Sequence, residues 1–355
     1  MNTLLTHVVE LAQSSTNFSD IQIEQDEPVM WKTPAGWKQT GYGIVGSDDI
    51  IPLMAAVSRE WKSLLKRARA IERAINLSSA RLRCSAYTTH AGTKYAMTIR
   101  RFPVVVQSIA ELGLPAQVNQ FASMPKGLLL VSGPTGSGKT TTIASIIRQI
   151  NETREAHIIT IEEPIEYVFA RVKSIITQRE VGDPETGADT SSFALGLKEA
   201  LRQCPNVIFA GEIRDAETAD TVLRAAESGH YVMATIHSRN AIGAIQKMLS
   251  FFPDDEKARA MSLSNTLCGV LAQSLAPSID GERFIPVVEM IMNSDQSVAT
   301  MIASPDKHRQ LEEKLKSSAL PGGTSQNDIL RGLVQNKIIT LKAAMSIAYA
   351  PELLT

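Results

Sequence analysis

The run Gly133-Pro134-Thr135-Gly136-Ser137-Gly138-Lys139-Thr140 satisfies the spacing G-x-x-x-x-G-K-[ST]. It constrains the chain because the motif works only between a buried strand and the start of a helix. Both are legible here. Leu128–Val131 is a short apolar run that reads as the strand, and Thr141 to Ile150 has the apolar spacing of the helix. Glycines let the backbone wrap an anion, and the amides at the helix start, Thr141 included, face its phosphates. Lys139 is expected to reach the β- and γ-phosphates, and the Thr140 hydroxyl to ligate magnesium. The chain reads as a nucleoside-triphosphate-binding protein that takes ATP with Mg2+.

Around this motif the chain alternates strand and helix. Leu128–Val131, His157–Ile161, Asn206–Ala210 and Tyr231–Thr235 read as strands with helices between them. That order predicts an α/β domain whose parallel sheet carries its ligand at the carboxyl ends of the strands. Beyond Ile302 the pattern is helical, with Leu311, Leu315, Leu330, Leu333 and Leu341 as expected core positions.

The first hundred residues read differently. Leu4, Val8, Leu11 and Ala12 recur at helical spacing. Asp20–Ile23 and Val29–Trp31 alternate like strands, with a hairpin signal at Pro34-Ala35-Gly36. Ser47-Asp48-Asp49 caps a helix whose apolar face is expected to continue to Trp61. The basic run from Arg59 to Arg73 reads as a solvated helix face, and Arg81–Tyr87 and Lys94–Arg100 read as strands. The expectation is an α+β domain over residues 1–103, a linker over 104–116, and the nucleotide-binding domain over 117–355 with a helical end.

With a formal net charge of -1 the chain gives no support for bulk attraction to nucleic acid or anionic membrane. Neither a secretory signal nor an apolar run of membrane-spanning length is evident, so the expected place is the cytoplasm, peripheral to a membrane. Cys84, Cys204 and Cys268 show no metal-ligand spacing and read as buried thiols.

Three further clusters follow the predicted strands. Ile161-Glu162-Glu163-Pro164-Ile165-Glu166 supplies carboxylates of the kind that orient an attacking water, take its proton, or hold magnesium. Val207 to Asp215 is an apolar strand ending in Gly211-Glu212, the Walker B pattern. Gly229 to His237 has a histidine at each end of one strand, His230 and His237, either of which is placed to sense a γ-phosphate.

Taken together, the four clusters resemble the secretion ATPase superfamily that drives type II secretion and type IV pili, most closely its retraction-motor branch. Members carry a Walker A motif, an acidic Asp box, a Walker B ending in Gly-Glu and a His box, in this order. Ser19-Asp20-Ile21, Pro125-Lys126-Gly127, Gln178 to Gly182 and Ala200-Leu201-Arg202 extend the likeness over nearly the whole chain. The resemblance implies a RecA-like ATPase domain preceded by a PAS-like α+β domain. It implies Glu166 as the glutamate activating water, Glu162 as its metal-side companion with Glu163 beside it, and Glu212 as the group holding magnesium through water. His237 is implied as the γ-phosphate sensor ahead of His230. It further implies a homo-hexamer with nucleotide between the two domains, completed by arginines from the region of Arg81, Arg83, Arg100 and Arg101. The implied partners are an inner-membrane platform protein and a second motor ATPase, with no nucleic acid.

The departures are Glu163 where the family usually has Asp, Gln22 where many relatives have His, and Ser297–Ile302, which lacks the arginine of the retraction branch. The alternatives carried are an ATPase of a type IVB secretion or conjugation system, a RecA-like nucleic-acid translocase, and a nucleotide-binding scaffold that does not hydrolyse.

Overall fold

The apolar run before the phosphate motif forms a strand covered on both faces, and a sheet grows outward from it. The computed structural model describes residues 3–354 apart from 15, 17, 79, 104 and 184–187, and leaves aside the side chains of Pro103 and Leu353. The chain divides into two units. One comprises Met1–Val105 with Asp280–Arg283, the other Val106–Ile279 with Phe284–Thr355.

In the first unit the strands are β1 (Asp20–Glu24), β2 (Pro28–Thr33), β3 (Gly36–Ile44), β4 (Ala70–Asn76), β5 (Ala80–Thr89) and β6 (Lys94–Pro103). They form one antiparallel sheet in the order β3-β2-β1-β6-β5-β4. Along β5 every second residue is buried, Ala80, Leu82, Cys84 and Ala86, as a strand with one covered face requires. The cover is α1 (Leu4–Gln13), α2 (Ser47–Val57) and α3 (Trp61–Ala68), whose Leu4, Val8, Ile50, Met54 and Trp61 join that core. The single helix expected to run through to Trp61 is two helices. The backbone turns extended at Ser58, and α3 then closes at Arg69 in the left-handed region. The basic run therefore covers α3 and continues into edge strand β4 instead of lining one helix.

In the second unit the strands are β7 (Gly127–Ser132), β8 (His157–Glu162), β9 (Ile175–Glu180), β10 (Val207–Ala210), β11 (Tyr231–Ile236), β12 (Leu267–Pro277) and β13 (Phe284–Met292). The sheet order is β13-β12-β7-β11-β10-β8-β9, parallel except for β13. Leu128 and Leu130 enter one core while Leu129 and Val131 enter the other, the period-two signature of a strand between two layers. One layer holds α4 (Asn119–Ala122) and α5 (Lys139–Thr153). The opposite layer holds α6 (Phe193–Ala200), α7 (Ala216–Glu227), α8 (Ala241–Leu249), α9 (Glu256–Thr266), α10 (Gln296–Ile302) and α11 (His308–Lys316). The end of the chain, α12 (Gln326–Gln335) and α13 (Leu341–Ile347), packs on β12 and β13 through Leu330 and Ala344.

Four expectations need correction. Val104 lies outside the described residues, but the rest of the expected linker is not free chain: Val106, Ile109 and Leu114 are buried in the second unit, and Val106 oxygen accepts from Arg148. β9, β12 and β13 extend the expected sheet. Leu341 is exposed, since the buried face of α13 runs through Ala344. Of the three cysteines only Cys84 is buried, and burial pushes its thiol up to about 12, whereas Cys204 is exposed and Cys268 partly so.

Candidate nucleotide site

Parallel register sets the site. β11 pairs with β7 from Tyr231–Gly127 to Ile236–Ser132, and β10 pairs with both β11 and β8 so that Ala210 is level with Ala234 and Ile161. Gly133, Glu212 and His237, which follow these strands, and Glu162, the last residue of β8, therefore emerge at one edge of the sheet, the edge where such folds bind ligands.

The phosphate loop is built around glycines with real work to do. Gly133 has φ 145° and Gly138 φ 84°. A Cβ on Gly133 would stand 2.2 Å from the Gln273 carbonyl oxygen, and one on Gly138 2.8 Å from Gln273 Nε2. Gly136, φ 79°, has open space around it. Pro134, Thr135 and Gly136 are exposed at the tip, while Ser137 is buried with a hydroxyl that has no partner. Lys139 opens α5, and its ammonium donates to the Gly133 and Pro134 carbonyls at 3.0 Å each. Burial lowers its pKa, opposed by the carboxylates of Glu212 and Glu166. The loop fits a polyphosphate: an orphaned buried hydroxyl, a half-buried ammonium and the open amide end of α5 are the donors such an anion requires.

The carboxylates divide into two environments. Glu212 sits where β10 ends, and Gly211 lets that end approach β8, donating to Ile161 oxygen at 2.8 Å where a Cβ would crowd Ile161 and Phe193. The Glu212 carboxylate takes His237 Nε2 at 3.0 Å and Arg214 Nη2 at 2.8 Å, and Arg214 continues to Glu163. A polar chain His237–Glu212–Arg214–Glu163 thus crosses the edge. Glu162 is 4% exposed, accepts from the Thr160 hydroxyl at 2.7 Å and Gln178 Nε2 at 3.3 Å, and is pushed up to about 7 by burial. The metal-side role expected of Glu162 therefore falls on an enclosed carboxyl already engaged by Thr160 and Gln178. For magnesium the oxygens that fit are the half-buried Thr140 hydroxyl and the Glu212 carboxylate.

Glu166 is held by its neighbour. The Tyr167 hydroxyl shares a hydrogen bond with Thr141 Oγ1 at 2.9 Å, and the Tyr167 carbonyl accepts from Gln178 Nε2 at 2.7 Å. This ties the acidic loop to the first turn of α5 and keeps Glu166 close enough to act on the Lys139 charge. His230 is not brought to this edge. It precedes β11 at the far end of the strand, with Nδ1 against the Ser228 hydroxyl and the Ala225 carbonyl. One strand separates the two histidines, and only His237 reaches Glu212.

The four arginines belong to the first unit. Cross-strand register pairs Arg83 with Arg100, and Arg81 lies two residues from Arg83, so these three share one sheet face. Arg81 donates to Asn76, Arg83 meets Glu72 at 3.2 Å, and Arg100 is fixed by buried Asp20 at 2.8 Å. Arg101 points to the other face. Its guanidinium lies 3.9 Å over the Phe18 ring and donates to the Ser14 and Thr16 carbonyls, which makes it a structural arginine.

Sequence reasoning missed Gln273, Tyr167 and Gln178. A polar Gln273 inside the apolar run of β12 was the available signal, since a strand buried on both faces keeps a glutamine only where its amide finds partners.

The model of the type II/IV secretion system protein family matches residues 67–314. A twitching motility protein of Neisseria gonorrhoeae is 39% identical over 75% of this chain and 69% of its own length. The type IV pilus retraction ATPase PilT of Pseudomonas aeruginosa is 36% identical over 77% of each chain. A crystal structure of the pilus retraction motor PilT with bound ADP superposes with a TM-score of 0.82 at 34% identity, covering 97% of this chain and 98% of that one. The phosphate loop, the acid-bearing strand ends and these likenesses agree: the chain belongs to the type II/IV secretion system protein family, with a PilT-like fold.

Proposed function

We propose that this chain is a motor ATPase of a type IV pilus machine and that its task is pilus retraction, the removal of pilin from the pilus base. The carrying observation is the meeting of Lys139, Glu166, Glu212 and His237 at one sheet edge, in a chain similar to twitching motility and retraction proteins.

In this reading the amides from Gly133 to Thr140 and the Lys139 ammonium hold the β- and γ-phosphates of ATP. Magnesium, when bound, neutralises charge on the phosphates, and the Thr140 hydroxyl and Glu212 are the groups that hold it. Glu166 orients a water toward the γ-phosphorus and accepts its proton. His237, anchored to Glu212, reads the γ-phosphate and passes its loss to Arg214 and Glu163. The working assembly is a homo-hexameric ring on the cytoplasmic face of the inner membrane, acting on a platform protein and paired with a second motor ATPase.

A secretion ATPase is the second reading, favoured by α10, where Ser297–Ile302 lacks the arginine of the retraction branch. The test is pilus length and number on cells lacking the gene, complemented with wild type or Glu166→Ala. Long, abundant, non-retracting pili in the deletion and in Glu166→Ala are expected, together with turnover of purified Glu166→Ala lowered about 10²-fold or more. Unchanged pili with lost protein or DNA transfer would move the chain to the secretion reading. Turnover stimulated by nucleic acid would make it a translocase, and no turnover in wild type a scaffold.

A further inference from the structure

We propose that Gln273 is a positioning residue for nucleotide binding, a brace on β12 that holds the phosphate loop open for its ligand. Its amide nitrogen donates to the Ser137 carbonyl at 2.8 Å, and its amide oxygen accepts from the Thr142 hydroxyl at 2.6 Å. One side chain, 4% exposed, therefore spans from inside the loop to the first turn of α5. The loop also closes on Gln273 from both ends. Gly133 packs on its main-chain carbonyl and Gly138 on its amide, so the first and last glycines of the motif are the two that this residue leaves no room to replace.

The physical consequence follows from where the hydrogen bonds go. A carbonyl at Ser137 that is satisfied from the β12 side points toward the sheet, and the amides of the following residues are left facing the anion. The Thr142 bond fixes the start of α5 relative to the same point. Both partners are buried, so no water substitutes for the amide when it is lost. A glutamine is the one uncharged side chain of this length that donates at one atom and accepts at the other. The brace rests on the nucleotide-binding reading of the loop and adds to it a residue more than 130 positions away in sequence.

The test uses the full-length protein with ADP as probe and Gln273→Glu as variant, and Thr142→Val as a second route to the same contact. The glutamate keeps the length and the acceptor but loses the donor while ionised. At about pH 8 ADP affinity of Gln273→Glu is expected to fall about tenfold or more, because a buried carbonyl is left unpaired and a carboxylate faces it. Near pH 5.5 the gap to wild type narrows, since burial raises the introduced carboxyl and its protonated form donates again. In turnover assays KM for ATP rises while kcat at saturation changes little. The double variant with Thr142→Val is expected to lose less than the sum of the two single losses, because both remove one brace. Affinity within twofold of wild type at both pH values, by the same measure, would overturn the proposal. So would a loss that is equal at both pH values and matched by a lower melting temperature of the nucleotide-free protein, which is the signature of a merely structural glutamine. A wild type that binds no ADP overturns the nucleotide reading itself and is recognised because wild type and variant then read alike.

Discussion

Glu162 and Glu166 stand four residues apart and meet opposite conditions. Glu162 is enclosed, and desolvation favours its protonated form in the folded chain, with a pKa raised from 4.5 to about 7. The folded state therefore binds a proton that the unfolded state releases earlier. Stability from this group is full below about 4.5 and is lost as pH rises through about 7. Glu162→Gln, which keeps the acceptor without the charge, should flatten that dependence and be more stable than wild type at about pH 8 by up to about 3 kcal/mol. Denaturant unfolding at about pH 5 and about pH 8 checks this, and a variant weakened equally at both values would refute it. A second prediction concerns the loop. Gly133→Ala places a methyl 2.2 Å from a carbonyl oxygen and should lose ADP binding outright. Gly136→Ala meets open space and should cost only the about 1–2 kcal/mol of a left-handed alanine. Calorimetric titration with ADP and thermal melts separate the two. These residues also show what the sequence can and cannot say. Gly133 to Thr140 were legible because the motif is contiguous and its chemistry is mostly backbone. Gln273, Tyr167 and Gln178 were not, because their roles exist only once β12, β9 and α5 lie side by side. His230 and His237 were legible as the two ends of one strand, and the structure shows which end meets Glu212.

Among elements of the second unit, the legible strands were those with continuous apolar runs next to the four motifs, namely β7, β8, β10 and β11. β9 carries Thr177, Gln178 and Arg179, and its partly exposed edge hides the two-face pattern. β12 joins the sheet by pairing with β7, and β13 joins it only through β12, from Gly269–Met292 to Pro277–Phe284. Their pairing has a consequence for α8, the helix that follows His237. Glu289 on β13 is 1% exposed and accepts from the Ala241 amide, the first of α8, at 2.8 Å. The same carboxyl interacts with Tyr349, and Gln326 and Asn327 hold the Tyr349 amide and the Ala350 carbonyl. One carboxyl thus joins the start of α8 to the chain's closing segment. Glu289→Ala should leave the Ala241 amide unpaired in a buried place and destabilise the second unit by about 1–3 kcal/mol. Hydrogen exchange should quicken at the first turn of α8 and around Tyr349 together. Exchange that quickens at one and not the other would show that Glu289 does not join them.

At the scale of the whole molecule, the chain is two units with separate cores, and the residues proposed for hydrolysis all lie in the second. The four arginines expected to complete the site lie in the first. If a site is completed by a neighbouring subunit, a subunit supplies its arginines to one site and its phosphate loop to another. Arg101 is stacked on Phe18 and Arg100 is fixed to buried Asp20, so Arg81 and Arg83, on one partly exposed sheet face, are the first groups to test. Arg81→Ala with Arg83→Ala should lower turnover strongly, since an arginine completing a phosphoryl-transfer site is worth about 10³–10⁵ in rate. Lys139→Ala should abolish it by a different route. The two defects complement if they act across subunits: in a mixture, some interfaces join an intact phosphate loop to an intact arginine pair. Co-assembled variants should then recover turnover that neither has alone, and recovery should fall on dilution as the ring dissociates. Arginines serving their own subunit's site give no recovery at any ratio, because every subunit in the mixture then carries a broken site.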